Sequence, residues 1–174
     1  MNRKLLTAAS LFISILSGQT GFLPAVDIKD LNGRVIKREE LLNRGPVLID
    51  FWALWCAPCL KAMPHLDELQ SQYIDRGLTV LLVNIDSETS RSKVRRLIKT
   101  RRYRSKVALD PAKQFFRRLN GMSLPYSLLI ARDGRITYRH TGFVPGDEHH
   151  LAVEVAKLFA HTDVDSVEAV PPVQ

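Results

Sequence analysis

The segment DFWALWCAPC, residues 50–59, lies where two patterns in the sequence meet. It overlaps a compact apolar run from Pro46 to Trp52, which is typical of a β-strand buried on both faces. From Cys56 to Arg76 the apolar residues recur at spacings of three and four, as they do along one face of a helix. The sequence therefore predicts a buried strand that turns into a helix, with two cysteines at the start of that helix.

Cys56 and Cys59 are the only cysteines in the chain. At a helix N-terminus, unpaired backbone N–H groups and the positive end of the helix dipole favour a thiolate, which lowers a cysteine pKa from ~8.5 to about 3.5–7.5. Cys59 follows one turn later on the same face, so it can attack the Cys56 sulfur and resolve a mixed disulfide. A bridge across so short a loop contributes little to folding, so the pair favours redox chemistry over a structural disulfide or a metal site.

Strand and helix patterns alternate along the rest of the chain. A strand, a helix, a second strand and a second helix in that order indicate a parallel unit. Asn32-Gly33 suits a two-residue type I′ turn between the first two strands, Asp133-Gly134 joins the last two, and Asp147 is expected to cap the final helix. The predicted strands are residues 26–31, 34–37, 46–52, 78–85, 106–109, 126–131 and 136–141, and the predicted helices are 38–44, 56–76, 91–103, 112–119 and 147–161.

Residues 47–64 resemble the active-site segment of thioredoxins, and more closely that of the exported TlpA/ResA-like thioredoxins. The resemblance extends over about residues 26–159 and includes Pro64 after the cysteines and the Leu124-Pro125 segment. It implies an α/β, thioredoxin-like fold, in which a central mixed β-sheet has helices on both faces and an N-terminal β-hairpin. It also implies a thiol:disulfide oxidoreductase that exchanges disulfides with protein clients and uses no cofactor and no metal.

The resemblance implies a role for Asp50, because in thioredoxins the acid at the matching position assists proton transfer to and from the second cysteine. Inside an apolar strand we expect burial to raise the pKa of Asp50; an edge position in contact with solvent is the alternative. Ala62 stands where ResA-like proteins usually carry a glutamate, and Leu82 where thioredoxins usually carry a lysine. Asp50 is therefore expected to be the only acid near Cys59.

Three further residues are implied as substrate contacts by the same resemblance. The family places a cis-proline opposite the cysteine pair, where backbone pairs with an extended substrate segment, and this predicts a cis bond between Leu124 and Pro125. X-Pro bonds in general are cis in only about 5–6% of cases. Trp55 resembles the family tryptophan that borders the substrate surface, whereas Trp52 is expected to lie in the core.

The N-terminal residues have the pattern of a secretory signal. Arg3 and Lys4 precede an apolar run over residues 5–16, which is shorter than a spanning helix usually needs. We expect residues 1–20 to be a signal peptide or, if uncleaved, an N-terminal membrane anchor, 21–161 the thioredoxin-like domain, and 162–174 a disordered tail. The expected location is the periplasm or the outer face of the cytoplasmic membrane of a bacterium.

Positive charge is concentrated in one region of the chain. Residues 91–118 contain twelve of the 25 lysines and arginines, and Asp110 is the only acid among them. A solvated basic face is the simplest interpretation, and contact with anionic lipid headgroups at a membrane surface or with an acidic partner is the alternative. Nucleic acid is not expected as a partner, because no recognition motif accompanies the charge.

The direction of electron flow and one rival function remain open at this point. No histidine stands between the cysteines to stabilise the Cys56 thiolate, which favours a reductant, and a reductant in an oxidising compartment needs a membrane thiol donor of electrons. The rival is a copper-binding assembly factor similar to Sco-like copper chaperones, which share the fold and use two cysteines with a distant histidine. Those proteins have Cys-x-x-x-Cys, whereas here two residues separate the cysteines and His140 is the candidate distal ligand.

Overall fold

The computed structural model describes residues 21–25 and 28–165, with side chains as far as residue 160. The predicted signal or anchor, residues 1–20, lies outside the described residues, as does the tail beyond residue 165. The described strands are β1 (Ile28–Asp30), β2 (Val35–Ile36), β3 (Val47–Trp52), β4 (Thr79–Asn84), β5 (Lys106–Leu109), β6 (Tyr126–Ile130) and β7 (Ile136–Thr141). The described helices are α1 (Arg38–Leu42), α2 (Ala57–Tyr73), α3 (Arg91–Arg101), α4 (Gln114–Arg118) and α5 (Asp147–Asp165).

The described strands form one mixed sheet in the order β2-β1-β5-β4-β3-β6-β7. Strands β3, β4 and β5 are parallel, and the outer pairs β1–β5, β3–β6 and β6–β7 are antiparallel. The parallel unit expected from the alternation of strands and helices is therefore confirmed. Every residue of β3 and of β4 is buried, as the continuous apolar runs predict for strands covered on both faces.

Helices cover both faces of the sheet, as predicted. Neighbouring side chains of β3 point to opposite faces, so Asp50 and Phe51 mark the two sides. On the Phe51 side, its ring packs against Phe115 and Phe116 of α4, with centroid distances of 5.6 and 5.1 Å. On the Asp50 side, Ser127 of β6 shares a cavity with side chains of α2 and α5. The cysteines of α2 and the carboxylate of Asp50 therefore lie on one face.

The turn predicted at Asn32-Gly33 is wrong in type. Four residues, 31–34, join β1 to β2, and Gly33 has a positive φ of 88° whereas Asn32 does not. The Asp30 carboxylate accepts hydrogen bonds from the N–H groups of Asn32 and Arg34 at 2.8 and 2.9 Å. Such a side-chain bond competes with the tight two-residue turn and holds a wider loop.

The last helix begins at residue 147, as predicted, but the Asp147 carboxylate bonds to groups that precede the helix. Asp147 is the first residue of α5, and its carboxylate accepts a hydrogen bond from the N–H of Val144 at 2.8 Å and pairs with His140 Nε2 at 3.1 Å. Asp147 thus ties the loop after β7 to that strand. The helix continues to Asp165, four residues beyond its predicted end. No helix in the described part of the chain is long and apolar enough to cross a bilayer.

Candidate active site

The two cysteines lie at the junction between β3 and α2, as the sequence predicts. Cys56 is the residue before the first helical turn, and Cys59 lies within that turn. They form a disulfide with a Cα–Cα distance of 5.3 Å, and the Cys59 N–H donates to Cys56 Sγ at 3.3 Å. Pro58 occupies the first turn, where a helix loses no internal hydrogen bond through a missing N–H.

The two cysteines differ in their exposure to solvent. Cys56 keeps 5% of its surface exposed, whereas Cys59 keeps none. A client disulfide can therefore approach Cys56 more readily than Cys59. The burial difference matches the roles expected from the sequence, with an outer cysteine that attacks and an inner cysteine that resolves.

A carboxylate that the sequence analysis missed holds the loop before Cys56. Asp86, two residues after β4, accepts hydrogen bonds from the Leu54 N–H and from Asn84 Nδ2, both at 2.8 Å. The Cys56 N–H donates to the Ala53 carbonyl at 3.1 Å. The sequence did carry a signal for Asp86, which is an acid directly after a buried strand. The carboxyl ends of neighbouring parallel strands meet at one edge of a sheet, so such an acid lies near the end of β3.

Asp50 is completely buried at the centre of the sheet. Leu82 of β4 and Ser127 of β6 are its neighbours across the two strand pairs. Burial raises the pKa of Asp50 from 3.8 to about 7, and a hydrogen bond from Ser127 opposes that rise. The expectation of a buried acid with a raised pKa is therefore confirmed, and the alternative of a solvated edge position is contradicted.

The two oxygens of Asp50 have different surroundings. Ser127 Oγ donates to Oδ1 at 2.7 Å, while Oδ2 is buried and has no hydrogen-bond partner among the described residues. A buried polar atom in that condition is costly, and a buried acid with a strongly shifted pKa is a candidate for a functional role. Ser127 was missed in the sequence, where its only signal is a hydroxyl inside the apolar strand YSLLI.

The Leu124-Pro125 peptide bond is cis, as the family resemblance implies. Pro125 precedes β6, whose Tyr126 pairs with Phe51, so the proline lies beside the end of β3 from which the chain leads to Cys56. The Pro125 carbonyl accepts a hydrogen bond from the Gly142 N–H at 2.8 Å. Pro125 also shares a cavity with Ala62, one turn beyond Cys59 on α2.

The two tryptophans of the motif have opposite positions. Trp55, next to Cys56, is 68% exposed, whereas Trp52 is fully buried in the core. Leu124, before the cis-proline, is half-buried. Trp55 and Leu124 are therefore both accessible at the surface, while Trp52 serves packing, as expected.

His140, the distal residue of the copper alternative, lies on β7 beside Ser127 of β6. Its Nε2 is paired with Asp147 Oδ2 at 3.1 Å. Within residues 21–25 and 28–160 the structure brings no three His, Cys, Asp or Glu side chains together as metal ligands. No observation in this part of the chain favours copper binding over disulfide exchange.

Comparison with known proteins places these features in a family. The Redoxin family model matches residues 17–155. Thiol-disulfide oxidoreductase ResA of Bacillus cereus (strain ATCC 10987 / NRS 248) is 27% identical over 154 residues, which cover 78% of this chain and 87% of that protein. Thioredoxin-like protein YneN of Bacillus subtilis is 32% identical over 131 residues, which cover 75% and 74%. The crystal structure of a thiol:disulfide interchange protein DsbE from Chlorobium tepidum superposes with a TM-score of 0.74 and 28% identity, covering 80% of this chain and 96% of that one.

Proposed function

The chain belongs to the Redoxin family and is a thioredoxin-like thiol:disulfide oxidoreductase of the TlpA/ResA type, and from that premise we propose that it reduces disulfides of protein clients outside the cytoplasm. The observation that carries the proposal is the disulfide between a more accessible Cys56 and a fully buried Cys59, on the sheet face that also holds the buried Asp50.

In the first proposed step the reduced protein attacks its client. The Cys56 thiolate, stabilised by the N-terminus of α2, forms a bond to one sulfur of the client disulfide. The client disulfide breaks and its other sulfur leaves as a thiolate. The product is a mixed disulfide between Cys56 and the client.

In the second step Cys59 resolves the mixed disulfide. Its thiol gives its proton to Asp50, whose Oδ2 is the oxygen without a hydrogen bond, and the Cys59 thiolate attacks Cys56 Sγ. The client sulfur leaves as the second thiolate. The client has then gained two electrons, and the protein has formed the Cys56–Cys59 disulfide.

Trp55, Leu124 and Pro125 are proposed to hold the client segment. The exposed Trp55 ring offers apolar surface beside Cys56, and the backbone around cis-Pro125 can pair with an extended chain. Leu124 makes this rim bulkier than the threonine that is common in the family, and this favours clients with small residues next to the disulfide.

The reducing direction is supported by what stands between the cysteines. Ala57 and Pro58 carry no charge or imidazole that could stabilise the Cys56 thiolate beyond the helix N-terminus. A reduced form without extra stabilisation is a stronger reductant. Equilibration with thiol buffers is therefore expected to give a potential nearer thioredoxin's roughly −270 mV than the roughly −120 mV of the oxidant DsbA. A value near the latter would reverse the proposed direction.

Export is proposed from the N-terminal pattern of Arg3, Lys4 and the apolar run of residues 5–16. In an oxidising compartment the disulfide formed after each turnover requires a membrane thiol donor to reduce it again. Fractionation of a bacterium that expresses the full chain is expected to recover it in the periplasmic or membrane fraction. Recovery of the intact chain in the cytosol would refute this location.

A further inference from the structure

Helix α3 divides its positive charges between two opposite faces. At 100° per residue, Arg91, Arg95 and Lys99 lie on one face, and Lys93, Arg96 and Arg101 lie on the other. Arg91 and Arg95 are engaged in the structure: both guanidinium groups donate to the Leu31 carbonyl, and Arg91 also pairs with Glu88 at 3.1 Å. Arg91 and Arg95 therefore attach the helix to the N-terminal hairpin.

The second face is exposed and unpaired. Lys93, Arg96 and Arg101 are all exposed, and within the described part of the chain none of them forms an ion pair. Unpaired cations on one helix face give a local positive potential that is not cancelled by neighbouring acids. Such a field attracts carboxylates and raises the rate at which an acidic partner meets the surface.

This face borders the active-site loop. A surface groove is lined by Leu54, Lys93, Arg96, Leu97, Thr100 and Arg101. Leu54 is two residues before Cys56, and its N–H is held by Asp86, so one wall of the groove continues directly into the cysteine motif. Trp55, which lies between Leu54 and Cys56 in the chain, is exposed. A chain lying in the groove would bring its next residues to the active-site sulfur.

We propose that this groove is a docking site for an acidic segment that flanks the disulfide of a protein client. The inference deepens the proposed function and rests on it. Carboxylates of the client pair with Lys93, Arg96 and Arg101, and apolar client side chains contact Leu54 and Leu97. The groove is continuous with the active-site loop, and this favours a polypeptide client over a lipid surface. Proximity to Cys56 would bring no advantage in binding a lipid.

The test uses the full-length reduced protein and two synthetic peptides. Both peptides carry the same intramolecular disulfide, flanked in one by four aspartates and in the other by four asparagines. For the wild type we expect kcat/KM to be roughly tenfold higher with the aspartate peptide, and this preference to shrink as salt rises. The double variant Lys93→Glu/Arg96→Glu is expected to lose the preference, and Lys93→Gln/Arg96→Gln to reduce it.

The matched control removes charge at the far end of the sheet. Arg44 precedes β3 and Arg132 follows β6, both are exposed, and both lie at the strand ends opposite the cysteines. Arg44→Glu/Arg132→Glu changes the net charge as much as the groove variant and is expected to keep the preference. An equal loss in both double variants would overturn the inference, because the effect would then come from overall charge.

Other outcomes are equally decisive. If the wild type reduces both peptides at the same rate, the docking proposal is refuted while the proposed function stays intact. A wild type that reduces neither peptide, nor oxidised insulin, refutes the proposed function, and the groove proposal falls with it. If the groove variant keeps the peptide preference but loses binding to phosphatidylglycerol vesicles, relative to phosphatidylcholine vesicles, the basic face serves a membrane surface instead.

Discussion

Asp50 is the residue that we propose takes up the Cys59 proton in the second step. A carboxylate buried without a counter-charge would be unfavourable unless it could take up a proton, and its pKa near 7 lets it do so at physiological pH. The neighbouring β4 position is Leu82, which brings no charge to compensate it. Among the described residues, Ser127 supplies the one hydrogen bond to the Asp50 side chain, on Oδ1, so Oδ2 is the oxygen proposed to accept the proton.

Replacing Asp50 by Asn is expected to separate attack from resolution. Cys56 keeps its helix-terminal activation, so formation of the mixed disulfide stays close to the wild-type rate. Resolution slows by up to the roughly 10²–10⁴-fold contribution of a positioned general base, because no acceptor remains for the Cys59 proton. Stopped-flow fluorescence of Trp55 resolves the two phases. If both phases match the wild type from pH 6 to 9, Asp50 has no role in proton transfer.

Replacing Ser127 by Ala is expected to raise the pKa of Asp50 above about 7, because the donor that favours the carboxylate is lost. The pH at which resolution reaches half its maximal rate should rise accordingly. Ser127→Thr retains a hydroxyl and should restore the wild-type profile. His140 on β7 is the cross-strand neighbour of Ser127, and His140→Gln serves as the control. An unchanged midpoint in Ser127→Ala would mean that the bond at 2.7 Å does not tune Asp50.

Asp50 also makes folding stability depend on pH. The folded state keeps this proton up to about pH 7, whereas an unfolded aspartate loses it near 3.8, so stability falls as pH rises through that window and then levels off. The difference corresponds to roughly 4 kcal/mol at most. Asp50→Asn should therefore stabilise the oxidised protein at pH 8 and bring no such gain at pH 3.5. Urea unfolding at the two pH values measures this, and an equal effect at both would contradict it.

At the scale of elements, helix α2 is attached to the sheet by a buried glutamine. Gln70 Nε2 donates to the Leu78 carbonyl at 3.0 Å, and Gln70 Oε1 accepts the Val80 N–H at 2.6 Å. The side chain therefore satisfies two backbone groups at the start of β4. These bonds fix the C-terminal half of α2, the helix that begins directly after Cys56.

Gln70→Leu is expected to destabilise the protein by roughly 2–5 kcal/mol, because both backbone groups lose their partner in a buried place. Gln72→Leu is the matched control: Gln72 lies on the exposed side of α2 and makes one 3.4 Å bond to Glu68. The Gln72→Leu substitution should change the free energy of unfolding by no more than about 0.5 kcal/mol. Chemical denaturation of both variants gives the comparison. Similar losses in the two would show that Gln70 is not a specific attachment.

Local patterns in the sequence were sufficient for the elements themselves. Apolar runs and three-to-four spacing are properties of neighbouring residues, so the order of strands and helices and the position of Cys56 could be read directly. Contacts between distant residues could not. Ser127 and Asp50 are 77 positions apart, and Asp86 reaches back 32 positions to Leu54. The hairpin turn was missed for a related reason, since the Asp30 side chain competes with the backbone preference of Asn32-Gly33.

At the scale of the whole molecule, the mixed sheet brings together residues from three parts of the chain. Strand β3 carries Asp50 and leads to the cysteines, β6 brings Ser127 and cis-Pro125, and the end of β4 brings Asp86. The positive charges of the chain are most concentrated in residues 91–118, where α3 places exposed cations beside the active-site loop. The proposed chemistry and the proposed docking groove are therefore adjacent but rest on separate elements.

Single-cysteine variants separate the two proposed roles, attack by Cys56 and resolution by Cys59. Reduced Cys59→Ser, incubated with a peptide disulfide and analysed by non-reducing mass spectrometry, is expected to accumulate a stable adduct at Cys56. Reduced Cys56→Ser should form little adduct, because Cys59 is buried and lies inside the helix rather than at its end. Equal adduct yields from the two variants, or a greater yield from Cys56→Ser, would contradict the assignment.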